Sequence, residues 1–143
     1  MQEYAYVVNV DGAVVRDGEY LFIERGADEE HAAGVLAFPG GKVEQPPESG
    51  DAIRETARRE LFEEVGIEVG AVEYVTSATF EADDGTRCLN VVTRCEHVGG
   101  EAHPKAADEV AAVHWLSPDE LGAHEDIPAY VEAYVEQVEA HAE

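Results

Sequence analysis

Basic residues are scarce in this 143-residue chain. Seven arginines and two lysines stand against 32 aspartates and glutamates, for a formal net charge of -23. A nucleic-acid duplex is bound through basic patches that displace counterions from its phosphates, and here only Arg54, Arg58 and Arg59 lie close together in the sequence. The composition therefore predicts no duplex partner, and it predicts repulsion from anionic membranes.

The same imbalance points to the chemical setting of the protein. Glutamate is abundant while lysine is nearly absent, a balance typical of proteins from high-salt cytoplasms, where ions screen the repulsion among surface carboxylates. We therefore expect a halophilic protein.

Long apolar stretches are missing as well. No run of 18 apolar residues occurs, and the first residues, MQEYAYVVNV, lack the basic start and long apolar core of a secretory signal. We expect a cytoplasmic protein with no membrane partner. Cys88 and Cys95 are too few for a disulfide framework and are expected to be reduced thiols. The six histidines show no HxxxH or HExxH spacing, which argues against a histidine metal site.

What the chain does contain suits one folded domain. Its 143 residues are 45% hydrophobic, with no internal repeat and no low-complexity linker, so we expect a single domain over residues 1–143. Apolar patterning predicts strands at 4–15, 20–23, 35–38, 67–80, 87–98 and 110–115, and helices at 51–65, after Ser117 and after Pro128. This order predicts an α+β fold, an α/β/α sandwich with a mixed β-sheet between helices.

Turn residues and aromatic residues refine this outline. Asp17-Gly18 predicts a hairpin, Pro39-Gly40-Gly41 should end the third strand, and Gly66 should end the first helix. Among the aromatic residues, Trp115, Tyr130 and Tyr134 are expected to make core or dimer contacts rather than to stack on a base, whereas Phe80 is a candidate for contact with an adenine ring.

One acidic segment of the predicted first helix carries the chemistry: Arg59-Glu60-Leu61-Phe62-Glu63-Glu64-Val65-Gly66-Ile67. Spacings of three and four residues place Glu60, Glu63 and Glu64 on one side of the helix, opposite the apolar stripe. Clustered carboxylates repel one another unless a cation lies among them. Hard oxygen ligands suit Mg²⁺, with Mn²⁺ as the alternative, and such ions usually bridge to substrate phosphates.

A nonfunctional interpretation of the three glutamates competes with the cation site. An acidic chain produces glutamate clusters by composition alone, and an isolated ExxEE pattern on an exposed helix is usually only solvated. The ordered set of one arginine, three glutamates, two apolar positions and a glycine is much harder to produce by chance. The pattern therefore favours a cation site.

This segment resembles the second half of the Nudix box and contains each of its fixed positions. Upstream, Phe38-Pro39-Gly40-Gly41-Lys42-Val43-Glu44 is similar to the strand end and glycine turn that open the box. Gly41 precedes Arg59 by four more residues than the box has, so an insertion lies around residues 45–50. The first acid of the box, which in the family ties down the loop and helix through the motif arginine, then corresponds to Glu48 or, in strict register, to Asp51.

The resemblance implies a Nudix-type fold and hydrolysis of a nucleoside diphosphate linked to another moiety, such as ADP-ribose, a nucleotide sugar, a dinucleoside polyphosphate or a nucleoside triphosphate. It implies Mg²⁺ held by Glu60, Glu63 and Glu64, with a main-chain carbonyl of Gly40 completing the shell. Arg59 would orient the carboxylates.

The remaining roles follow from position within the same pattern. Glu109 lies six residues before Trp115, where some family members place a glutamate that reaches the metal site, so the general base is either Glu63 or Glu109. Arg25 and Gly41 are the candidates for substrate contact; for Arg25 the competing interpretation is a surface salt bridge.

Two other functions share this fold. A noncatalytic nucleotide-sensing module commonly loses the box glutamates, which are intact here. Isopentenyl-diphosphate isomerase needs a cysteine and further acids in its site, and Cys88 and Cys95 do not match that arrangement. The leaving group, which depends on loops such as 26–34 and 99–107, and the oligomeric state, with a homodimer as one option, are left open by the sequence.

Overall fold

The computed structural model of the chain describes residues 2–26, 35–44, 50–124 and 127–141. After a 3-10 turn at Gln2–Tyr4, this part of the chain contains seven strands and three helices. They are β1 (Val7–Arg16), β2 (Glu19–Arg25), β3 (Leu36–Ala37), β4 (Gly40–Lys42), α1 (Ala52–Val65), β5 (Glu68–Glu81), β6 (Arg87–Gly99), β7 (Val110–Leu116), α2 (Pro118–Gly122) and α3 (Ala129–His141).

The strands form one mixed sheet, which confirms the predicted fold class. Its main order is β3-β2-β1-β6-β5, with β4 paired to β1 and β7 paired to β2. The β1–β6 pair is parallel, and the other pairs are antiparallel, including the predicted hairpin of β1 and β2. Because β1 lies in the middle of this order and side chains alternate along a strand, its side chains reach both faces of the sheet near its centre.

Helices cover both faces of this sheet. On one face, Leu61 and Val65 of α1 are fully buried in a cluster with Val10 and Val14 of β1. On the other face, Val131, Val135 and Val138 of α3 pack in a second cluster with aromatic and apolar residues of the sheet. Burying such side chains stabilises the fold by about 1.5–3 kcal/mol each. None of the helices in the described part of the chain is long and apolar enough to cross a bilayer.

Helix α1 is held in a fixed position along the sheet. It ends as predicted at Gly66, whose φ of 72° is left-handed. The Gly66 N–H donates to the Phe62 carbonyl at 3.0 Å, and the Ile67 N–H donates to the Leu61 carbonyl at 3.4 Å. On its outer side, Arg54 Nε donates to the Val72 carbonyl at 2.9 Å, and Arg58 Nη2 donates to the Gly70 carbonyl at 2.9 Å. These bonds join α1 to the backbone of β5.

One predicted boundary was wrong, and one strand was not predicted. The first strand begins at Val7 because Tyr4 belongs to the preceding 3-10 turn. The third strand ends at Ala37, before Pro39-Gly40-Gly41, as predicted, but Gly40–Lys42 then form the further strand β4 and pair antiparallel with residues 9–11 of β1. The Pro39 carbonyl accepts the Gly12 N–H at 2.9 Å, which starts this pairing one residue before β4. Glycine without a Cβ permits the close approach of the two backbones.

Gly40→Ala is expected to destabilise the protein strongly. An added Cβ would lie 2.1 Å from the Val10 carbonyl oxygen and 2.9 Å from Asp11 Cα, both backbone atoms that cannot rotate away. We expect a loss of about 3 kcal/mol or more in the free energy of unfolding, measured by urea denaturation. In the matched variant Gly122→Ala, the Cβ meets no atom within 4 Å, and the change should stay within about 1 kcal/mol. Equal midpoints for the two variants would contradict this account of the turn.

Candidate active site

The last two turns of α1 face the glycine strand β4. Gly41 lies so close to α1 that a Cβ there would fall 2.4 Å from the carboxyl carbon of Glu60. Gly40, in turn, donates its N–H to Glu64 Oε1 at 2.9 Å. The two glycines therefore bring a main-chain turn into direct contact with two of the predicted metal-binding carboxylates.

Glu64 is the most buried of these carboxylates, with only 7% of its surface exposed. Its pKa is raised to about 8, chiefly by burial and also by the negative charges of Glu60 and Glu109, while the Gly40 N–H and the positive charge of Arg25 act to lower it. We expected the three glutamates to lie opposite the apolar stripe of the helix, and this was wrong for Glu64. Glu64 is buried, as Leu61 and Val65 of that stripe are, and the Gly40 backbone lies against its carboxylate.

Arg59 connects the helix to the end of β4. Its Nη2 lies 3.1 Å from Glu60 Oε1 and donates to the Lys42 carbonyl at 3.0 Å. Burial raises the pKa of Glu60, Arg59 opposes this shift, and the charges of Glu63 and Glu109 add to it. The guanidinium thus contacts one oxygen of the Glu60 carboxylate, as the predicted positioning role would require.

Glu109 lies near Glu60 and Glu64, although it belongs to a different part of the chain. The backbone N–H groups of Lys105 and Ala106 donate to the Glu64 carbonyl at 3.0 and 3.2 Å, and the Glu109 N–H donates to the Ala106 carbonyl at 2.9 Å. These bonds hold the 101–109 segment against the end of α1. The charge of Glu109 consequently acts on both Glu60 and Glu64.

The other predicted acids lie at the edge of this group or outside it. Glu63 is exposed, and its charge acts on Glu60. Asp51 precedes α1 and contacts Arg54 at 3.2 Å, while Glu48 lies outside the described residues. Within the described ranges, no three acidic, histidine or cysteine side chains already converge on a single point. The carboxylates of Glu60, Glu64 and Glu109 are nonetheless mutually repelling hard oxygen ligands, the donor type that suits Mg²⁺.

A cavity of about 510 Å³ opens beside Glu64 and Gly40. Arg25 also lines this cavity, and its positive charge acts on Glu64 and on Asp11. Of the two substrate candidates, Arg25 therefore lies at the cavity. Gly41 is not among the residues that line the cavity and lies against Glu60 of α1.

Sequence reasoning missed the polar side chains at the floor of the cavity, which are Asn9, Asp11 and Asn90. Burial raises the pKa of Asp11 to about 6, although hydrogen bonds from both asparagines lower it. The available signal was two polar residues, two positions apart, inside the apolar strand VVNVDGAVV. A spacing of two residues puts both polar side chains on the same face of the strand. Packing of that face in an apolar core does not account for them.

The aromatic residues near the cavity differ in burial. Tyr134 packs against the second core cluster, as expected, and also lines the cavity. Phe80 and Tyr130 line the cavity too, and Tyr130 is 56% exposed and so lies outside the core. The helix periodicity that suggested core or dimer contacts does not distinguish a core face from the wall of a cavity. Trp115 instead packs against the core and carries Arg16 over its ring at 4.0 Å. Cys88 and Cys95 are buried and free, as expected for reduced thiols.

Comparison with known proteins identifies related sequences and structures. The chain matches the model of the NUDIX domain over residues 6–136. It is 37% identical over 116 residues to a MutT-like protein of Streptomyces ambofaciens. The aligned region covers 80% of this chain and 66% of that protein, just under two thirds of its length. It is 36% identical over 124 residues to the CTP pyrophosphohydrolase of Escherichia coli K12, covering 86% and 85%.

A solved structure shares the whole architecture. The crystal structure of a MutT NUDIX hydrolase from Burkholderia pseudomallei superposes with a TM-score of 0.80 at 27% sequence identity, covering 94% of this chain and 98% of that one.

Glu64→Gln should stabilise the metal-free protein at alkaline pH. The folded-state pKa of about 8 exceeds the ordinary value of 4.5, so the wild type loses stability as pH rises between these values and the buried carboxylate becomes charged. Glutamine stays neutral and can still accept the Gly40 N–H. We expect it to be on the order of 2 kcal/mol more stable than wild type at about pH 8.5, measured by urea denaturation in EDTA.

Near pH 4.5 the two proteins should unfold at similar urea concentrations. Glu55→Gln, an exposed position in the first turn of the same helix, serves as the matched control and should show no difference that grows with pH. A Glu64→Gln protein that follows the pH dependence of wild type would contradict the assignment of this buried charge.

Proposed function

We propose a function from one premise: this chain belongs to the NUDIX domain family, whose model it matches over residues 6–136. The function that the site supports best is hydrolysis, dependent on a divalent cation, of the diphosphate linkage in a nucleoside diphosphate derivative. The observation that carries this proposal is the group of charges at Glu60, Glu64 and Glu109, which act on one another beside the Gly40 turn and next to a cavity.

The acidic group fits a hard divalent cation, Mg²⁺ first and Mn²⁺ as the alternative. Glu60, Glu63 and Glu64 would hold it, together with the Gly40 carbonyl. When bound, such a cation neutralises charge on the non-bridging phosphate oxygens and lowers the pKa of a bound water. Arg59 would keep Glu60 in its direction through the contact at 3.1 Å.

The attacking water also needs a group that accepts its proton. Glu63 and Glu109 are the two candidates, and we favour Glu109. Its charge acts on both Glu60 and Glu64, whereas that of Glu63 acts on Glu60. Glu109 is also held against the end of α1 by backbone hydrogen bonds of its own segment. Arg25, at the cavity side of Glu64, would contact the phosphates of the substrate.

Nucleoside triphosphates are the first substrates to test. The E. coli relative that is 36% identical is a CTP pyrophosphohydrolase, and the 510 Å³ cavity beside Glu64 is of the size that small-molecule ligands occupy. A panel should add ADP-ribose, nucleotide sugars and dinucleoside polyphosphates. The alternative function, a noncatalytic nucleotide-sensing module, would bind a member of this panel without cleaving it.

The setting of the protein is also a proposal. We place a single domain, as a monomer or homodimer, in a high-salt cytoplasm because the chain carries a formal charge of -23. Screening of that charge is the physical advantage of high salt, since the Debye length falls from about 10 Å at 0.1 M to about 3 Å at 1 M.

Potassium chloride should therefore raise the thermal stability. Between roughly 0.1 and 1 M salt we expect an increase of several degrees in Tm, measured by circular dichroism, because repulsion among surface carboxylates falls. Sucrose at matched osmolality stabilises by exclusion from the surface and does not screen charge, so it serves as the control. A rise in sucrose equal to that in salt would argue against screening.

Removing either the buried Glu64 carboxylate or the half-buried Glu60 carboxylate should abolish most of the hydrolysis. For Glu64→Gln and Glu60→Gln we expect kcat with Mg²⁺ to fall by about 100-fold or more, because each change removes a charged ligand. The measurement is nucleotide product formation by chromatography with the best substrate of the panel. Glu55→Gln, exposed on the same helix, should retain wild-type turnover.

Two results would overturn the proposal. Full turnover in the Glu64→Gln variant would remove that residue from the cation site. Tight binding of a nucleotide by the wild type, with no cleavage in Mg²⁺ or Mn²⁺ at low or high salt, would favour the sensing module.

A further inference from the structure

We propose that Asn9, Asp11 and Asn90, which we call the polar floor of the cavity, select nucleobases that carry an exocyclic amino group. This inference deepens the proposed function, because it assumes that the base of a nucleotide occupies the cavity beside the carboxylate group. It concerns binding of the base and not the chemistry at phosphorus, so the two proposals can fail separately.

The fold builds this floor from two neighbouring strands. Asn9 and Asp11 lie two residues apart on β1 and so share one face of the strand. Asn90 of β6 is the direct partner of Asn9 in the parallel pairing. All three side chains line the same cavity as Glu64 and Gly40, and Asp11 is the partner of Gly40 in the β1–β4 pairing. The floor is therefore joined by the sheet to the turn that contacts Glu64.

The hydrogen bonds of the floor fix the orientation of both amides. Asn9 Nδ2 donates to Asp11 Oδ1 at 3.0 Å and to Asn90 Oδ1 at 2.7 Å. Asn90 Nδ2 donates to Asp11 Oδ2 at 3.0 Å and lies 3.4 Å from the hydroxyl of Tyr134. A carboxylate only accepts hydrogen bonds. Both amide nitrogens must therefore point toward Asp11, and the alternative flipped orientations would place oxygen against oxygen.

This arrangement leaves acceptors for a ligand. An asparagine amide carries two N–H groups, and for each asparagine both are directed at partners within the floor or at Tyr134. What remains are lone pairs on the two oxygens of Asp11 and on the side-chain carbonyl oxygen of Asn9. A ligand that contacts this surface must consequently supply hydrogen-bond donors.

Nucleobases differ in what they can supply. Cytosine, adenine and guanine present an exocyclic amino group, whereas uracil presents a carbonyl oxygen where cytosine has its amino group. A carbonyl against the Asp11 carboxylate would lose a charge-assisted hydrogen bond and place two acceptors together. Hydrogen bonds to charged groups contribute about 1.5–3 kcal/mol, equivalent to roughly 10- to 100-fold in affinity.

Aromatic side chains complete the cavity without choosing among bases. Phe80 of β5 and Tyr130 of α3 both line it, and they are 50% and 56% exposed. Tyr134 meets Tyr130 edge to face, with ring centroids 6.1 Å apart. Stacking on aromatic rings is tolerant of sequence because every base has a π-face. Discrimination between bases is therefore assigned to the polar floor.

Equilibrium binding of nucleoside monophosphates tests the proposal. Titration calorimetry at pH 8 in EDTA would compare CMP with UMP, a pair that differs at the amino position, and GMP with IMP, which lacks the 2-amino group. For the wild type we expect CMP to bind about 10- to 100-fold more tightly than UMP, and GMP more tightly than IMP.

The decisive variant is Asp11→Asn, which replaces one acceptor by a donor at nearly constant shape. We expect the preference for CMP over UMP to fall to about threefold or less, with loss of CMP affinity as the main change. Asp17→Asn is the matched control. Asp17 is exposed in the β1–β2 turn at a φ of 52°, a conformation that asparagine adopts readily, and the preference should remain that of wild type.

Equal affinities for both members of both pairs in the wild type would overturn the proposal. So would an Asp11→Asn protein, folded by circular dichroism, that keeps the full preference. If that variant does not fold, the wild-type comparison with CMP, UMP, GMP and IMP alone decides. Hydrolysis of CTP and UTP with Mg²⁺ is measured in parallel, so that absent cleavage counts against the proposed function while the binding ratio still judges the polar floor.

Discussion

The hydrogen bond from the Gly40 N–H to the Glu64 carboxylate is the contact on which the site depends. It exists because a backbone without side chains can approach α1, and because α1 is held at a fixed height by its packing on β1. The bond satisfies one oxygen of a carboxylate that burial otherwise penalises. A divalent cation would relieve the same penalty more completely, so the architecture keeps in place a group that is costly without a ligand.

The backbone carbonyl of Glu64 positions a second part of the site. It accepts the N–H groups of Lys105 and Ala106, and so the segment that carries Glu109 is fastened to the end of α1. One residue thus sets the relative position of three parts of the chain that are distant in sequence, namely β4, α1 and the 101–109 segment. The charges that act on Glu60 and Glu64 come together through this anchoring rather than through proximity in sequence.

Much of this arrangement could be predicted from the sequence. The order of the strands and helices, apart from β4, and the stop at Gly66 follow from local periodicity and turn chemistry, and the structure has them. What could not be predicted depends on pairing between distant segments. The burial of Glu64 needs the glycine strand, and the polar floor needs Asn90 of β6 beside Asn9 of β1. Hydrophobic periodicity describes one helix or strand at a time and does not show which distant segment packs against that helix or strand.

Three of the few basic side chains of this acidic chain lie on α1 and form hydrogen bonds with neutral main-chain oxygens. Arg54, Arg58 and Arg59 each donate to a main-chain carbonyl, those of Val72, Gly70 and Lys42. An attraction between two formal charges weakens as dissolved ions accumulate, whereas a short contact with a neutral oxygen depends on geometry and changes little. Hydrogen bonds that depend little on salt concentration therefore hold helix α1 in place. The repulsion among the surface carboxylates can change with salt without loosening this helix.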